Sequence, residues 1–383
     1  MDWSFLIKNR TSIYVTTDSR KVTPGAVFVA LKGEHFDGND FVEQARKDGA
    51  EYVICGENAL AELQDLARAW RRSLDIPVLA ITGTNGKTTT KELTAVVLKT
   101  KYNVFYTQGN LNNQIGVPLS LLSITRAHEI AIIEMGASHP GDIKELVEIA
   151  EPTCGLITNV GRAHLQGFGS FEGVMRTKAE LYDYLRAHGG FCFRNTDNPY
   201  LAQMAGDLKT VPYTTGAMPE GTHLVGAYNA ENVSAALCVG RYFGVNEEGA
   251  LDAIRAYVPS NNRSQLMQTE RNTVVVDAYN ANPTSMTAAI NDFKGNCYIL
   301  GAMRELGEYS HLEHQNIVNM LLERKADKVL LVGEEYKETT APYPVFDNVE
   351  ALCDYLQKEP LRGQHILLKG SRSNTLEKVI PLL

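Results

Sequence analysis

Pro77–Thr90 reads PVLAITGTNGKTTT. Val78–Ile81 is a short continuous apolar run, the composition of a strand buried on both faces in a parallel sheet. The run breaks at Gly83 and Gly86, meets Lys87, and passes through Thr88, Thr89 and Thr90 into KELTAVVL, which opens as a helix. Strand, glycine-bearing turn, Lys-Thr and helix N-terminus, in that order, predict a phosphate-binding loop. Gly83, Thr84, Asn85 and Gly86 let backbone amides converge on phosphate oxygens, and the helix adds its positive end with Thr88 and Thr89. Lys87 would reach the β/γ-phosphates and Thr88 would place its hydroxyl on Mg²⁺. The general motif has about four residues between the first glycine and the Gly-Lys pair, whereas Gly83 and Gly86 enclose only Thr84 and Asn85. An ordinary Gly-rich βα turn therefore stays open on this stretch alone.

The whole chain allows such a domain and more. Its 383 residues suffice for two or three domains, each with a core. With 44% hydrophobic and 21% charged residues, it has the composition of a soluble globular protein. A formal net charge of -8 argues against nucleic acid or an anionic membrane as main partner, and leaves room for a local basic pocket. MDWSFLIKNR lacks the succession of a signal peptide, and no apolar run approaches the roughly 20 residues of a membrane span. A cytoplasmic protein without membrane insertion is expected. The six cysteines are scattered without close pairs, which predicts buried thiols rather than zinc or disulfides.

Upstream of the loop, AVFVALKG (26–33) and EYVICG (51–56) read as strands, and DFVEQARKDGA (40–50) and ALAELQDLARAWRRSL (59–74) as helices. They predict a small α/β domain over residues 1–75. Downstream, Val104–Tyr106 is a second strand followed by GNLNNQIG, a polar loop whose Asn110, Asn112 and Asn113 hold either substrate and water or the loop itself. Ile130–Ile133 runs into Glu134, where a Mg²⁺-binding acid belongs in a phosphate-loop domain, a surface acid being the alternative. A third apolar strand, Leu156–Thr158, leads into NVGRAH, so that His164 can converge with Thr88 and Glu134 on metal. A helix beginning near Ser170 carries Lys178, which composition alone reads as solvent-facing. Asn229 and Asn232 share one helix face and offer amides either to a purine edge or to helix capping. Thr273–Val276, KVLLVG and HILLKGSRS supply strands of a further α/β sheet, and Lys369 and Arg372 are candidate anchors for a carboxylate.

GTNGKTT resembles the ATP-binding loop of the Mur ligases, the ATP-dependent amide-forming enzymes of peptidoglycan precursor synthesis, related to folylpolyglutamate synthases. Further motifs follow in family order over nearly the whole chain: DSR (18–20), KGEHFDGNDF (32–41), NVGRAH (159–164), GAYNAEN (226–232), DAYNANPTSM (277–286), LGAMRELG (300–307) and KGSR (369–372). The departures are Asn39 and Tyr228 for histidines, Val276 and Ala278 for polar residues, and Ala302 for an aspartate.

The resemblance implies a three-domain α/β architecture: a uridine-nucleotide-binding domain (1–75), a central ATP-binding phosphate-loop domain (76–258) and a Rossmann-like C-terminal domain (259–383). It implies two Mg²⁺ ions at Thr88, Glu134, His164 and Lys178, with Lys178 carbamylated into an anionic metal-bridging group. Ser19, Arg20 and Lys32 would contact the UDP part. Asn229 and Asn232 would approach adenine, and Arg263 and Asp277 the nucleotide. YNANP is characteristic of the branch that adds D-alanyl-D-alanine to UDP-N-acetylmuramoyl-tripeptide. Tyr279, Asn280, Asn282, Lys369 and Arg372, with Asn110 and Asn113, are then expected around the substrates, in a monomer. A sister ligase adding the third amino acid, and a nucleotide-binding protein that has lost catalysis, are the alternatives. The family carries a longer section between Asn195 and Gly226, which predicts either a natural deletion or a segment outside this sequence.

Overall fold

The structure, a computed structural model, describes residues 2–259 and 263–383. Residues 260–262, at the expected start of the C-terminal domain, lie outside the described residues. Three sheets follow one another along the chain. The first is small and parallel: β1 (Val15–Thr16), β2 (Val27–Val29) and β3 (Tyr52–Ile54), in that order. The helix Ala59–Arg72 follows it. Leu63, Leu66, Ala67 and Trp70 give that helix an apolar stripe, which enters one continuous core with Val78, Ile133 and Leu181 of the next domain. Trp70 Nε1 donates to the Ile124 carbonyl at 2.9 Å, and Arg71 donates to the carbonyls of Ala150 and Glu151 at 3.1 Å each. The helix therefore belongs as much to the central domain as to the first.

The central sheet contains β4 (Val78–Thr82), β5 (Val104–Tyr106), β6 (Ile130–Glu134), β7 (Cys154–Ile157), β8 (Phe191–Asn195) and β9 (Thr210–Tyr213). Its order is β5-β6-β4-β7-β8-β9, all parallel. Every residue of β4 and β6 is buried, which is why both read as unbroken apolar runs rather than alternating ones. The chain leaves β4 toward β5 and β6 on one side and later crosses to β7 on the other. The crevice beyond the carboxyl ends of β4, β6 and β7 is thus a topological switch point, where open α/β sheets place ligands. Residues 196–225 run continuously through the helix Pro199–Ala205, β9 and a loop.

The C-terminal sheet contains β10 (Gln265–Gln268), β11 (Thr273–Asp277), β12 (Cys297–Gly301), β13 (Lys328–Val332), β14 (Val345–Phe346) and β15 (His365–Lys369). Its order is β10-β11-β15-β12-β13-β14, parallel except for β10. It has cores of its own on both faces. This domain sits on the central one: Arg162 pairs with Glu313 at 2.9 Å, and the Arg162 amide donates to Thr284 Oγ1 at 2.9 Å.

Candidate active site

The turn from β4 into the helix Lys87–Lys99 is fixed by what leaves β7. Gly83 has φ +143°, and a Cβ there would lie 1.9 Å from Thr158 Oγ1. Gly86, at φ +78°, would drive one into Asn232 Oδ1 at 2.4 Å. Glycine is thus required at both corners. Thr158 Oγ1 and Asn159 Nδ2 donate to the Asn85 carbonyl at 2.6 and 3.2 Å, while Asn159 Oδ1 accepts from the Asn85 amide at 3.0 Å. Lys87 folds back over this turn, its Nζ donating to the carbonyls of Gly83 (2.8 Å) and Thr84 (3.1 Å). Burial holds its ammonium down to about 8, against the pull of Glu134.

Thr88 Oγ1 donates to the two carboxylate oxygens of Glu134 at 3.2 and 3.0 Å, across the ends of neighbouring strands. Glu134 also accepts from Asn112 Nδ2 at 3.0 Å and stands 3.4 Å from Lys91 Nζ. Burial pushes its carboxyl up, but Lys91 and Lys87 outweigh burial and hold it below the usual range. Of the asparagines in GNLNNQIG, Asn112 reaches the acid. Asn113 lines the cleft and accepts from the amides of Ile115 and Gly116 at 3.2 and 2.8 Å, opening the next helix. Asn110 is exposed and outside the cleft.

The cleft encloses about 600 Å³ and is walled by both larger domains: Lys87, Thr88, Glu134 and His164 on one side, Asn280 and Lys369 on the other. His164 takes the left-handed conformation at φ +50°, and its Nδ1 meets the Glu305 carboxylate of the C-terminal domain. It shares the cleft with Thr88 and Glu134, but its Nδ1 is engaged across the domain boundary. Burial lowers its pKa, with Glu305 opposing. Lys178 is not solvent-facing: it is 2% exposed, with Nζ 5.6 Å from the Phe168 ring centre and no hydrogen bond or ion pair among the described residues. Burial pushes its ammonium down to about 7, and Lys87 adds to the shift.

Among the described residues no three His, Cys, Asp or Glu side chains cluster as a metal cage. Thr88 and Glu134 nevertheless suit Mg²⁺. They offer adjacent hard oxygens at a phosphate loop, and this ion takes few protein ligands and completes its shell from phosphates and water.

Asn229 and Asn232 both line the cleft, yet their amides have protein partners. Asn232 Nδ2 donates to Asn229 Oδ1 at 2.8 Å, and Asn232 Oδ1 accepts from Thr90 Oγ1 at 2.9 Å. Asn229 Nδ2 donates to the Val225 carbonyl at 2.6 Å. They brace the phosphate loop from behind. Tyr228, which replaces the family histidine, shares a 2.6 Å hydrogen bond with Ser264 Oγ. The next residue back, Arg263, stacks 3.7 Å from the Tyr279 ring centre, with Arg372 at 5.1 Å.

Asp277 and Lys369 end adjacent strands in register and form a 2.5 Å ion pair, so this lysine is already neutralised by a neighbour. Asn282 caps the helix Pro283–Asp292 and bonds Asn85 of the phosphate loop. Ser19, Arg20 and Lys32 lie on the first domain outside the cleft, Arg20 paired with Asp18 at 2.8 Å and Lys32 within 3.8 Å of Asp37. Sequence reasoning missed Lys91 and Glu305. Lys91 had a signal, since it lies one helical turn past Lys87 and so on the same face.

A phosphate loop facing a second α/β domain over a shared cleft offers one wall to ATP and the other to a second substrate, the arrangement an ATP-dependent ligase needs. The chain belongs to the Mur ligase family. Its segments match the models "Mur ligase family, catalytic domain" (residues 14–96), "Mur ligase middle domain" (81–218) and "Mur ligase, glutamate ligase domain" (262–372). It is 33% identical to the UDP-N-acetylmuramoyl-tripeptide–D-alanyl-D-alanine ligases of Bacillus subtilis and Escherichia coli. Those matches cover 96% of this chain and 92% and 93% of the two relatives. The alignments run over 421 and 424 residues, so the relatives carry segments with no counterpart in these 383. The crystal structure of MurF ligase from Thermotoga maritima in complex with ADP superposes with a TM-score of 0.87 at 28% identity, covering 98% of each chain.

Proposed function

We infer that the chain joins D-alanyl-D-alanine to UDP-N-acetylmuramoyl-tripeptide at the expense of ATP, in peptidoglycan precursor synthesis. The observation that carries this reading is the seating of the YNANP loop directly on the phosphate loop, through Asn282 and Asn85. Donor and acceptor chemistry then share one cleft. The tripeptide carboxylate attacks the γ-phosphorus, an oxygen–phosphorus bond forms as ADP leaves, and an acyl phosphate results. The dipeptide amine attacks the acyl carbon, loses a proton, and expels inorganic phosphate. Lys87 exchanges the carbonyls of Gly83 and Thr84 for phosphate oxygens and neutralises the charge that develops there. Thr88 and Glu134 would hold Mg²⁺, which supplies further charge neutralisation when bound. Docking of the C-terminal domain keeps water from the acyl phosphate.

The finer assignments belong to the same proposal. Lys178 has the surroundings of a carbamylated lysine: a depressed ammonium leaves a neutral amine to take up CO₂ with release of a proton, and the anion so formed would face Lys87. His164, freed from Glu305, would join Glu134 at a second Mg²⁺. Ser19, Arg20 and Lys32 would hold the UDP part, Arg263 and Asp277 the nucleotide side, and Tyr279, Asn280 and Arg372 the acceptor. No helix among the described residues is long and apolar enough to cross a membrane.

An ADP-release assay with UDP-N-acetylmuramoyl-tripeptide tests the reading. D-alanyl-D-alanine should support turnover and single amino acids should not. Turnover with a single amino acid, and none with D-alanyl-D-alanine, would overturn it.

A further inference from the structure

Lys91 is a charged side chain with 1% of its surface exposed, on the helix that starts at the phosphate loop and one turn beyond Lys87. Its Nζ lies 3.4 Å from Glu134 Oε2 and 5.9 Å from the centre of the Tyr106 ring. Nothing in the reaction described above uses it. The partners of Glu134 explain why it is there. Thr88 and Asn112 are neutral donors, and Lys87 directs its Nζ to the carbonyls of Gly83 and Thr84. Lys91 is therefore the cation in contact with a carboxylate that is itself 2% exposed. An unpaired carboxylate at that depth is costly, and a fixed ammonium removes most of the cost.

We propose that Lys91 is a positioning residue that acts as a built-in counter-ion for Glu134, keeping this carboxylate from taking a divalent cation until nucleotide is present. The proposal rests on reading Glu134 as the metal acid. Without nucleotide, Lys91 cancels the charge of Glu134 and Lys87 stands close by, so the pocket repels a divalent ion. A nucleotide brings several negative charges and draws Lys87 onto its phosphates. The local balance then reverses while Lys91 stays in place, confined by the Tyr106 ring and by burial. Metal and nucleotide are thereby made to bind together. Glu134 keeps its orientation in both states because Thr88 and Asn112 hold it independently of charge.

The test is a Mn²⁺ titration followed by electron paramagnetic resonance, on nucleotide-free protein, with wild type, Lys91→Met, Lys91→Arg and Lys91→Met/Glu134→Gln, and with wild type and Glu134→Gln repeated in the presence of a non-hydrolysable ATP analogue. Removing a positive charge this close to the carboxylate should tighten Mn²⁺ binding by roughly ten-fold or more in Lys91→Met. Lys91→Arg should bind as weakly as wild type does, Lys91→Met/Glu134→Gln should lose the tightened site, and Glu134→Gln should bind Mn²⁺ more weakly than wild type once the analogue is present. Circular dichroism reports whether each variant folds. Lys91→Gln, which keeps a donor and much of the length, replaces Lys91→Met if that variant does not fold, with the same expected tightening. Unchanged or weaker binding in the folded neutral variant, with Glu134→Gln still weakening the analogue-bound site, overturns the counter-ion role and leaves Glu134 as the metal acid. Equal Mn²⁺ binding by Glu134→Gln and wild type with the analogue present overturns the metal reading itself, and the proposal with it. Tight Mn²⁺ binding by nucleotide-free wild type at Glu134 overturns the proposal without any variant.

Discussion

Asn85 in the phosphate loop and Asn282 in the C-terminal domain exchange amide hydrogen bonds. Asn282 Nδ2 donates to Asn85 Oδ1 at 2.8 Å, and Asn85 Nδ2 returns a longer bond of 3.4 Å to Asn282 Oδ1. Asn282 Oδ1 also accepts from the Ser285 amide at 2.9 Å and thereby caps the helix Pro283–Asp292. One side chain thus terminates a helix in one domain and touches the nucleotide loop of the other. The position of the C-terminal domain is read directly at the loop that binds phosphate.

Replacing Asn85 with Ala removes the clasp but no helix cap, whereas Asn282→Ala removes both. Asn282→Ala should lower unfolding stability by about 1 kcal/mol for the lost cap, while Asn85→Ala should leave stability near wild type. Both should lower kcat/KM for the acceptor. In a double-mutant cycle on kcat/KM the second substitution should add little to the first. Full additivity would show that the two amides act separately.

Gly83→Ala should abolish nucleotide binding. The added methyl would meet Thr158 Oγ1 at 1.9 Å, at a φ of +143° that side chains rarely adopt. Removing the Thr158 hydroxyl in Gly83→Ala/Thr158→Ala relieves the contact but not the backbone strain, so binding should return only in part. Calorimetric titration with an ATP analogue measures both, and wild-type affinity in Gly83→Ala would show that the loop can open without penalty.

Lys178 gives a pH dependence of stability with a definite sign. Its ammonium is held down to about 7 by burial, against 10.5 when free. Below about pH 7 the lysine is protonated in both states, and the fold carries the whole cost of a buried ammonium. Between about 7 and 10.5 only the unfolded chain keeps the proton, so this cost fades as pH rises. In metal-free, CO₂-depleted buffer, Lys178→Met should be more stable than wild type by about 2–4 kcal/mol near pH 6. That advantage should shrink toward pH 10, as denaturant melts at several pH values will show. A pH-independent difference would mean that the ammonium is paired or solvated.

Asn280 should serve the acceptor. It is exposed on the cleft wall, and its Oδ1 is tied to the Ala281 amide at 2.9 Å while its Nδ2 carries no hydrogen bond among the described residues. Asn280→Ala should raise the KM for D-alanyl-D-alanine several-fold, for one lost hydrogen bond of about 1 kcal/mol, with little change for ATP. Equal movement of the two KM values would make the residue scaffold.

The sheets were legible because their strands are buried on both faces: VLAIT, IAIIE and VVVD carry their burial in composition. The phosphate loop was legible because glycine positions and the Lys-Thr pair declare themselves locally. What was not legible depends on contacts between distant segments. The reading of Lys178 as solvent-facing failed because one helix face is covered by Phe168 and its neighbours, which no local spacing reveals. The pairing of Asp277 with Lys369 needs the knowledge that β15 lies beside β11, some ninety positions apart in the chain. The amides of Asn229 and Asn232, read as open to a purine edge or to helix capping, are engaged by Thr90 and Val225, partners that local spacing does not reveal. His164 lines the cleft, and its engagement by Glu305 depends on the relative position of two domains, which no local spacing carries.

The place of β15 between β11 and β12 bears on how the molecule can be made. A ribosome must deliver His365–Lys369 before the two halves of the C-terminal sheet have anything to join them. Until then β11 and β12 each present an open edge, the condition in which nascent strands pair with the wrong neighbour. The central sheet makes the corresponding insertion sooner, β6 entering between β4 and β5 at Ile130–Glu134, shortly after β5 ends at Tyr106. A transcript truncated upstream of His365 should therefore yield a folded nucleotide-loop half carrying a sticky, protease-sensitive tail, rather than a smaller version of the enzyme.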